Sequence, residues 1–293
     1  MRRLLVFQSL WAMERRHTDG IERSVEENIA VIAGAGFEGI SARWCDRHDV
    51  HRLNELISPR GLLAEGQCFP KTVDELQPIL ELASEFPIHH LDVQPDVRPR
   101  RLDECFPLIE GWLKLAEQVD FPVLIETHRD RMTTDLFFTL DLLDHFPGLP
   151  LVADLSHFLV GREFAWPVDQ QNHRYIRRIL ENAWAFHGRV ASREQVQIEI
   201  SFPHHKRWVD LFLNWWEFGF KSWRKRSHSE ATLAFTCELG PQPYAITGRD
   251  GNDTIDRWEE SLQLRDLAKS LWEQIEREEA LSACGTEQKG REV

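Results

Sequence analysis

The sequence predicts one α/β domain, a (β/α)8 TIM barrel. Short apolar runs rich in Val, Ile, Leu and Phe alternate with longer stretches whose apolar residues recur every three or four positions. That is the pattern of strands followed by helices that cover a parallel sheet. About eight such units in about 250 residues match the arithmetic of a closed eightfold barrel. After the first apolar run the chain reads QSLWAM rather than a GxGxxG turn, so an open doubly wound sheet is the second choice.

The elements follow in order. LLVFQSL (4–10) reads as the first strand and SVEENIAVIAGAG as the helix after it. FEGISARW (37–44) and LLAEGQCF (62–69) read as strands two and three, with VDELQPILELASEF as a helix behind the third. IHHLDVQ (88–94) precedes the helical LDECFPLIEGWLKLAEQV, and PVLIETH (122–128) precedes TTDLFFTLDLLDHF. LPLVADLSH (149–157) is followed by NHRYIRRILENAWAF, which runs into the seventh strand, AWAFHGRV (183–190). LAFTCEL (233–239) closes the set, and TIDRWEESLQLRDLAKSLWEQIEREE is the last helix. No Pro/Gly/Ser-rich linker divides the chain, so the barrel is assigned to residues 1–279. The final stretch, 280–293, loses periodicity and reads as a disordered tail.

Composition narrows the function. The 293 residues are 42% hydrophobic and 28% charged, with a net charge of −13. That balance argues against broad nucleic-acid binding, which needs a basic face. No apolar run reaches the length of a membrane span. Arg2-Arg3 before LLVF imitates a signal peptide, but Gln8 breaks the run and Glu14-Arg15-Arg16 ends it without a small-residue cleavage site. Five cysteines, odd in number and without a CxxC pair, suit reduced thiols in the cytoplasm.

Strand endings carry the chemistry. Four apolar runs in the second half finish in Glu126, Asp154, His187 and Glu238. In a parallel barrel all strand C-termini point to one face, so such side chains converge. Burying a carboxylate behind an apolar strand is unfavourable unless something compensates it. The compensation is either a shared cation or a buried ion-pair network with Arg129, Arg189 or Arg193. Spacings of 28 residues from Glu126 to Asp154 and 33 from Asp154 to His187 are one βα repeat each; the 51 from His187 to Glu238 imply an enlarged loop. Three carboxylates and one imidazole suit one divalent ion such as Mn2+, Mg2+, Co2+ or Zn2+. The absence of sulfur sets aside a structural zinc.

With ETH at 126–128, DLSH at 154–157, HGR at 187–189 and ELGP at 238–241, the chain resembles the xylose isomerase-like TIM barrels, a superfamily of sugar and sugar phosphate isomerases and epimerases. The resemblance covers almost the whole chain. It implies that Glu126, Asp154, His187 and Glu238 coordinate the cation, that His157 sits beside it and touches substrate, and that Arg193 also meets substrate. Two departures stand out: Arg189 where many epimerases carry Glu, and SREQVQIEI in place of a glycine-rich turn. Both point to a pocket unlike that of a standard ketose epimerase.

The residue chemistry suits proton transfer beside a carbonyl, which needs a base, an acid and a group to hold the enediolate charge. Glu126 and Glu238, on different strands, are candidates to act on opposite faces of a sugar. The alternative is that both are plain ligands and His157 or a water carries the proton. Gln8, Gln67 and Gln94 close strands one, three and four and are placed to bond sugar hydroxyls or barrel-mouth backbone. His128 points the same way as Glu126; His89 and His90 read as structural, and His204-His205 as a helix start. Arginines at 98, 100, 101, 129, 131, 162, 189, 193 and 249 suggest either a positive mouth for an anionic group or a solvated rim. In 204–226, Trp208, Phe212, Trp215 and Trp216 share one helical face, which would pack on the barrel, form a lid or join two copies.

The expectation is therefore a metal-dependent isomerase or epimerase of a small polyhydroxy substrate, with or without an anionic group, and with no nucleic-acid or membrane partner. Homo-oligomerisation stays open. The alternatives are a dehydratase of an inosose-like polyol ketone and a non-catalytic metabolite-binding barrel. An abasic-site endonuclease would need more ligands and a basic face.

Overall fold

The computed structural model describes residues 1–289. Eight parallel strands pair in chain order: β1 (Arg3–Ser9), β2 (Gly39–Arg43), β3 (Leu63–Cys68), β4 (His90–Val93), β5 (Val123–Glu126), β6 (Leu151–Ala153), β7 (Ala183–Gly188) and β8 (Thr232–Cys237). β1 pairs with β8 and closes the barrel. Around it lie α1 (Val25–Gly34), α2 (Arg47–Ile57), α3 (Val73–Ser84), α4 (Phe106–Ala116), α5 (Leu136–His145), α6 (Ser156–Gly161), α7 (Gln170–Leu180), α8 (Lys206–Arg226) and α9 (Arg257–Lys289). Among the described residues no helix is long and apolar enough to cross a membrane. Cys45, Cys68, Cys105 and Cys237 are unbridged.

All eight expected strands form, each near the expected place. Two helices, α2 and α6, arise outside the quoted helical patterns. The last helix runs to Lys289, into the stretch 280–293 that reads as a tail; residues 290–293 lie outside the described ones. Side-chain oxygens at Ser24, Asp46, Thr72, Asp135 and Asp169 accept from the first-turn N–H groups of α1, α2, α3, α5 and α7. These bonds satisfy donors that a helix start leaves unpaired.

Strand alternation sorts side chains into two compartments. Outward residues such as Val6, Ile40, Leu91, Ile125, Phe186 and Phe235 join the large core under the helices. Inward residues Leu5, Phe7, Leu124, Val152, Ala185 and Ala234 form a separate small cluster at the lower end of the barrel. Gly39 leaves space for Phe7: a Cβ there would lie 2.5 Å from its ring. Above that plug the inward positions turn polar.

The aromatic segment is core. Trp208, Phe212, Trp215 and Trp216 of α8 are all buried. Trp216 meets Phe235 edge-on at 5.0 Å, and Phe220 meets Phe186 at 5.2 Å. α8 thus seals the outside of β7 and β8, and its buried aromatics leave no face for a lid.

Candidate functional site

The strand ends deliver the four expected side chains to one place. Glu126 ends β5, Asp154 follows β6, His187 lies in β7 and Glu238 follows β8. One ligand atom from each lies within 4.8 Å of the others, and all four residues are buried. His187 Nδ1 is 3.3 Å from Glu126 Oε1 and 3.2 Å from Glu238 Oε2.

Both Glu126 carboxylate oxygens, Asp154 Oδ2 and His187 Nδ1 lack a well-formed hydrogen bond among the described residues. Buried polar atoms without partners are unfavourable, yet here several converge. Three carboxylates and an imidazole with free atoms turned inward fit a hard or borderline divalent cation. Asp154 is aimed by Ser156, whose N–H and hydroxyl donate to Oδ1 at 2.9 and 2.5 Å.

Arg189 joins the same cluster. Its Nε donates to the Glu238 main-chain oxygen at 2.9 Å and its Nη2 to Glu238 Oε2 at 2.6 Å. Nη1 lies 3.1 Å from Asp154 Oδ2. The ligand set and the ion-pair network, alternatives in the sequence, therefore overlap in space. Arg129 instead stacks on Tyr244 at 4.7 Å. Arg193 does not reach the site: its half-exposed guanidinium pairs with Glu163 at 3.4 Å, because the loop after β7 turns it outward.

Electrostatics follow from these contacts. Burial pushes the Glu238 carboxyl up, but His187 and Arg189 outweigh it and bring it to about 2. Burial outweighs Arg189 at Asp154 and raises it. Burial, then His128 and Arg189, hold His157 well below the usual imidazole range, so its ring is neutral. Burial disfavours an imidazolium at His187, but Glu238, Glu65 and Glu126 together raise it well above that range.

A cavity of about 730 Å³ opens above the cluster at the C-terminal end of the barrel. Gln67, Gln94, His128, Arg131, Arg189 and Glu238 line it, with Trp11, Phe69 and Tyr244 as aromatic walls. Gln67 Nε2 donates to Glu238 Oε1 at 3.1 Å, so it braces a carboxylate as well as facing the opening. Gln94 is buried at the wall, whereas Gln8 turns to the Ser9 carbonyl at 3.4 Å. His157 lies beside the cluster, 3.5 Å from Asp154 Oδ2, with the His128 ring 4.1 Å away. His205 bonds the Glu199 carbonyl in the turn before α8, away from the cavity lining. Of the loop arginines, Arg131 and Arg189 line the cavity, whereas Arg98 pairs with Asp96 and Asp130, Arg101 with Asp103 and Arg162 with Asp135.

Sequence reasoning missed Trp11, Tyr244 and a second polar layer inside the barrel made by Glu65, His90 and Asp92, all fully buried. Burial and the nearby Glu126 raise the Asp92 carboxyl well above its usual range. The signal was present in AEGQC and HLDVQ, where polar residues alternate within strands of a parallel sheet.

No protein-family model and no curated protein matches the sequence. Solved structures do match in fold. A sugar phosphate isomerase/epimerase from Parabacteroides distasonis superposes with a TM-score of 0.60 at 8% identity, over 92% of this chain and 95% of that one. A xylose isomerase-like TIM barrel protein from Mycobacterium smegmatis, solved in complex with magnesium, gives 0.58 at 10% identity, over 91% and 97%. The probable 3-DHS dehydratase AsbF of Bacillus anthracis gives 0.56 at 14% identity, over 91% and 98%. Over about nine-tenths of its length the chain thus has the fold of xylose isomerase-like TIM barrels and of sugar phosphate isomerase/epimerase proteins.

Proposed function

We propose that the protein is a divalent-metal-dependent isomerase or epimerase of a small sugar, sugar phosphate or related polyhydroxy compound. The observation that carries this reading is the convergence of Glu126, Asp154, His187 and Glu238 beside the cavity that Glu238 lines, with several buried atoms that lack hydrogen bonds brought close together. The magnesium in the Mycobacterium smegmatis structure and the fold shared with the Parabacteroides distasonis sugar phosphate isomerase/epimerase support it.

Glu126, Asp154, His187 and Glu238 would hold the ion. When bound, it would draw off the negative charge that builds on substrate oxygens next to an abstracted proton. The rest falls to side chains of this chain. Glu126 and Glu238 come from separate strands, so one would remove a proton from a substrate carbon and the other return one. Gln67 and Arg189 hold the Glu238 carboxylate in place. Neutral His157, 3.5 Å from Asp154 Oδ2, would bond a substrate hydroxyl beside the ligand set. Trp11 and Tyr244, edge to face at 5.1 Å, offer apolar walls to the carbon face of a sugar, and Gln94 and His128 offer polar contacts.

The test is solvent deuterium incorporation, followed by NMR, over a panel of ketoses, their epimers and phosphates with Mn2+ present. Exchange at a carbon beside the carbonyl, with the isomeric product, is expected, and Glu238→Gln should abolish it. No exchange across the panel, or a near-normal rate in Glu238→Gln, contradicts the two-glutamate mechanism. The dehydratase in the fold comparison favours a second reading, dehydration of a polyol ketone by the same base. Loss of water from the product would reveal it.

A further inference from the structure

We propose that Glu65 is a positioning residue, which from inside the barrel holds the His187 ring with Nδ1, not Nε2, facing the carboxylate cluster. The inference rests on the cation reading above. His187 Nε2 lies 3.0 Å from Glu65 Oε1 in a hydrogen bond. An ionised carboxylate only accepts, so the ring nitrogen facing it carries the proton. In the neutral ring that a cation requires, Nδ1 is then the nitrogen left to offer a lone pair. It is also the nitrogen without a hydrogen-bond partner, and it is the one beside Glu126 and Glu238.

Glu65 is itself held on every side. It is fully buried. The Thr236 hydroxyl donates to its Oε2 at 2.7 Å. His90 Nε2 lies 3.0 Å from the same oxygen, off the line of a straight bond. His90 Nδ1 in turn meets His89 Nδ1 at 2.8 Å, and His89 Nε2 meets the Thr232 hydroxyl at 2.9 Å. A consistent proton placement runs along this chain. Thr232 donates to His89, the Nδ1–H of His89 donates to His90, and the Nε2–H groups of His90 and His187 both face Glu65. With His187 neutral, every ring then has one assigned tautomer, fixed by contacts that reach from Thr232 at the start of β8 to His187.

A competing arrangement uses the same residues. Glu65, Asp92 and His187 also bring ligand atoms within 4.8 Å of one another, but a cation there would take His187 through Nε2 and break its bond to Glu65. The experiment separates the two. Full-length protein labelled with 15N-histidine is loaded with 113Cd2+, and the cadmium–nitrogen coupling is read by NMR. Coupling to His187 Nδ1, with Nε2 keeping its proton, is expected. In Glu65→Gln the side chain offers either an oxygen or an amide to the ring, so the single tautomer is lost. Mn2+ affinity should then fall by about 10–100-fold. Thr236→Val keeps the side-chain shape and loosens Glu65, and should show a smaller loss in the same direction. Coupling to Nε2, or wild-type Mn2+ affinity in both variants, overturns the proposal. A wild-type protein that binds neither metal overturns the cation reading and this one together, whereas binding through Nε2 overturns this one alone.

Discussion

The Arg189 guanidinium grips Glu238 twice, at its carboxylate oxygen (2.6 Å) and at its main-chain oxygen (2.9 Å). It is buried beneath Tyr244, whose ring centroid is 4.8 Å away. A fixed positive charge therefore stands inside the candidate ligand set and offsets part of its three carboxylates. With a divalent ion in place, the cluster comes close to neutral.

Arg189→Met should accordingly destabilise the metal-free protein far more than the loaded one. Removing one partner of a buried ion pair costs about 3–5 kcal/mol, on the order of 5–15 °C in Tm for a chain this size. Saturating Mn2+ replaces the missing charge and should restore most of that loss. Thermal melts with and without Mn2+ check it, and equal losses in both would count against the electrostatic role.

A pH effect follows from His89. Burial, then the neighbouring His90, lowers its pKa from 6.5 to about 3. Below pH 6.5 the unfolded chain takes up a proton that the folded chain refuses. Stability is therefore lost as pH falls from 6.5 toward 3, by at most about 1.4 kcal/mol per pH unit from this group. Urea midpoints at pH 7, 6 and 5 should fall less steeply in His89→Gln than in the wild type. Parallel slopes would show that His89 does not carry the effect.

The cavity wall is tested at Gly240. A Cβ there would lie 2.1 Å from the Trp11 ring, so Gly240→Ala must displace the indole from its place against Tyr244. Turnover, expressed as kcat/KM, should drop by about tenfold or more, while Mn2+ affinity stays near wild type. Titrating both quantities on one preparation decides it. A matching fall in Mn2+ affinity would mean that the wall and the ligand cluster are not separate.

Much of this architecture was legible in the residues. Eight apolar runs gave eight strands because burial on both faces of a barrel strand leaves long hydrophobic stretches in the text. Glu126, Asp154, His187 and Glu238 were legible because each interrupts such a stretch at the end that faces the mouth. α6 was hidden inside LPLVADLSH: β6 stops at Ala153 and a helix begins at Ser156, and the two share one apolar run. α2 was hidden by its charge, with only Val50, Leu53 and Ile57 buried. The inner layer of Glu65, His90 and Asp92 was obscured because polar alternation in a strand normally marks a solvated face, whereas here it marks the barrel lumen. The place of Arg193 depended on a loop path that residue spacing does not encode.

The central claim is that Glu126, Asp154, His187 and Glu238 share one divalent cation, and equilibrium Mn2+ binding to purified, chelator-treated protein tests it most directly. The account predicts one ion per chain, with affinity reduced by more than about 100-fold in Asp154→Asn. Absence of binding at millimolar Mn2+, or unchanged affinity in a folded Asp154→Asn, would contradict it.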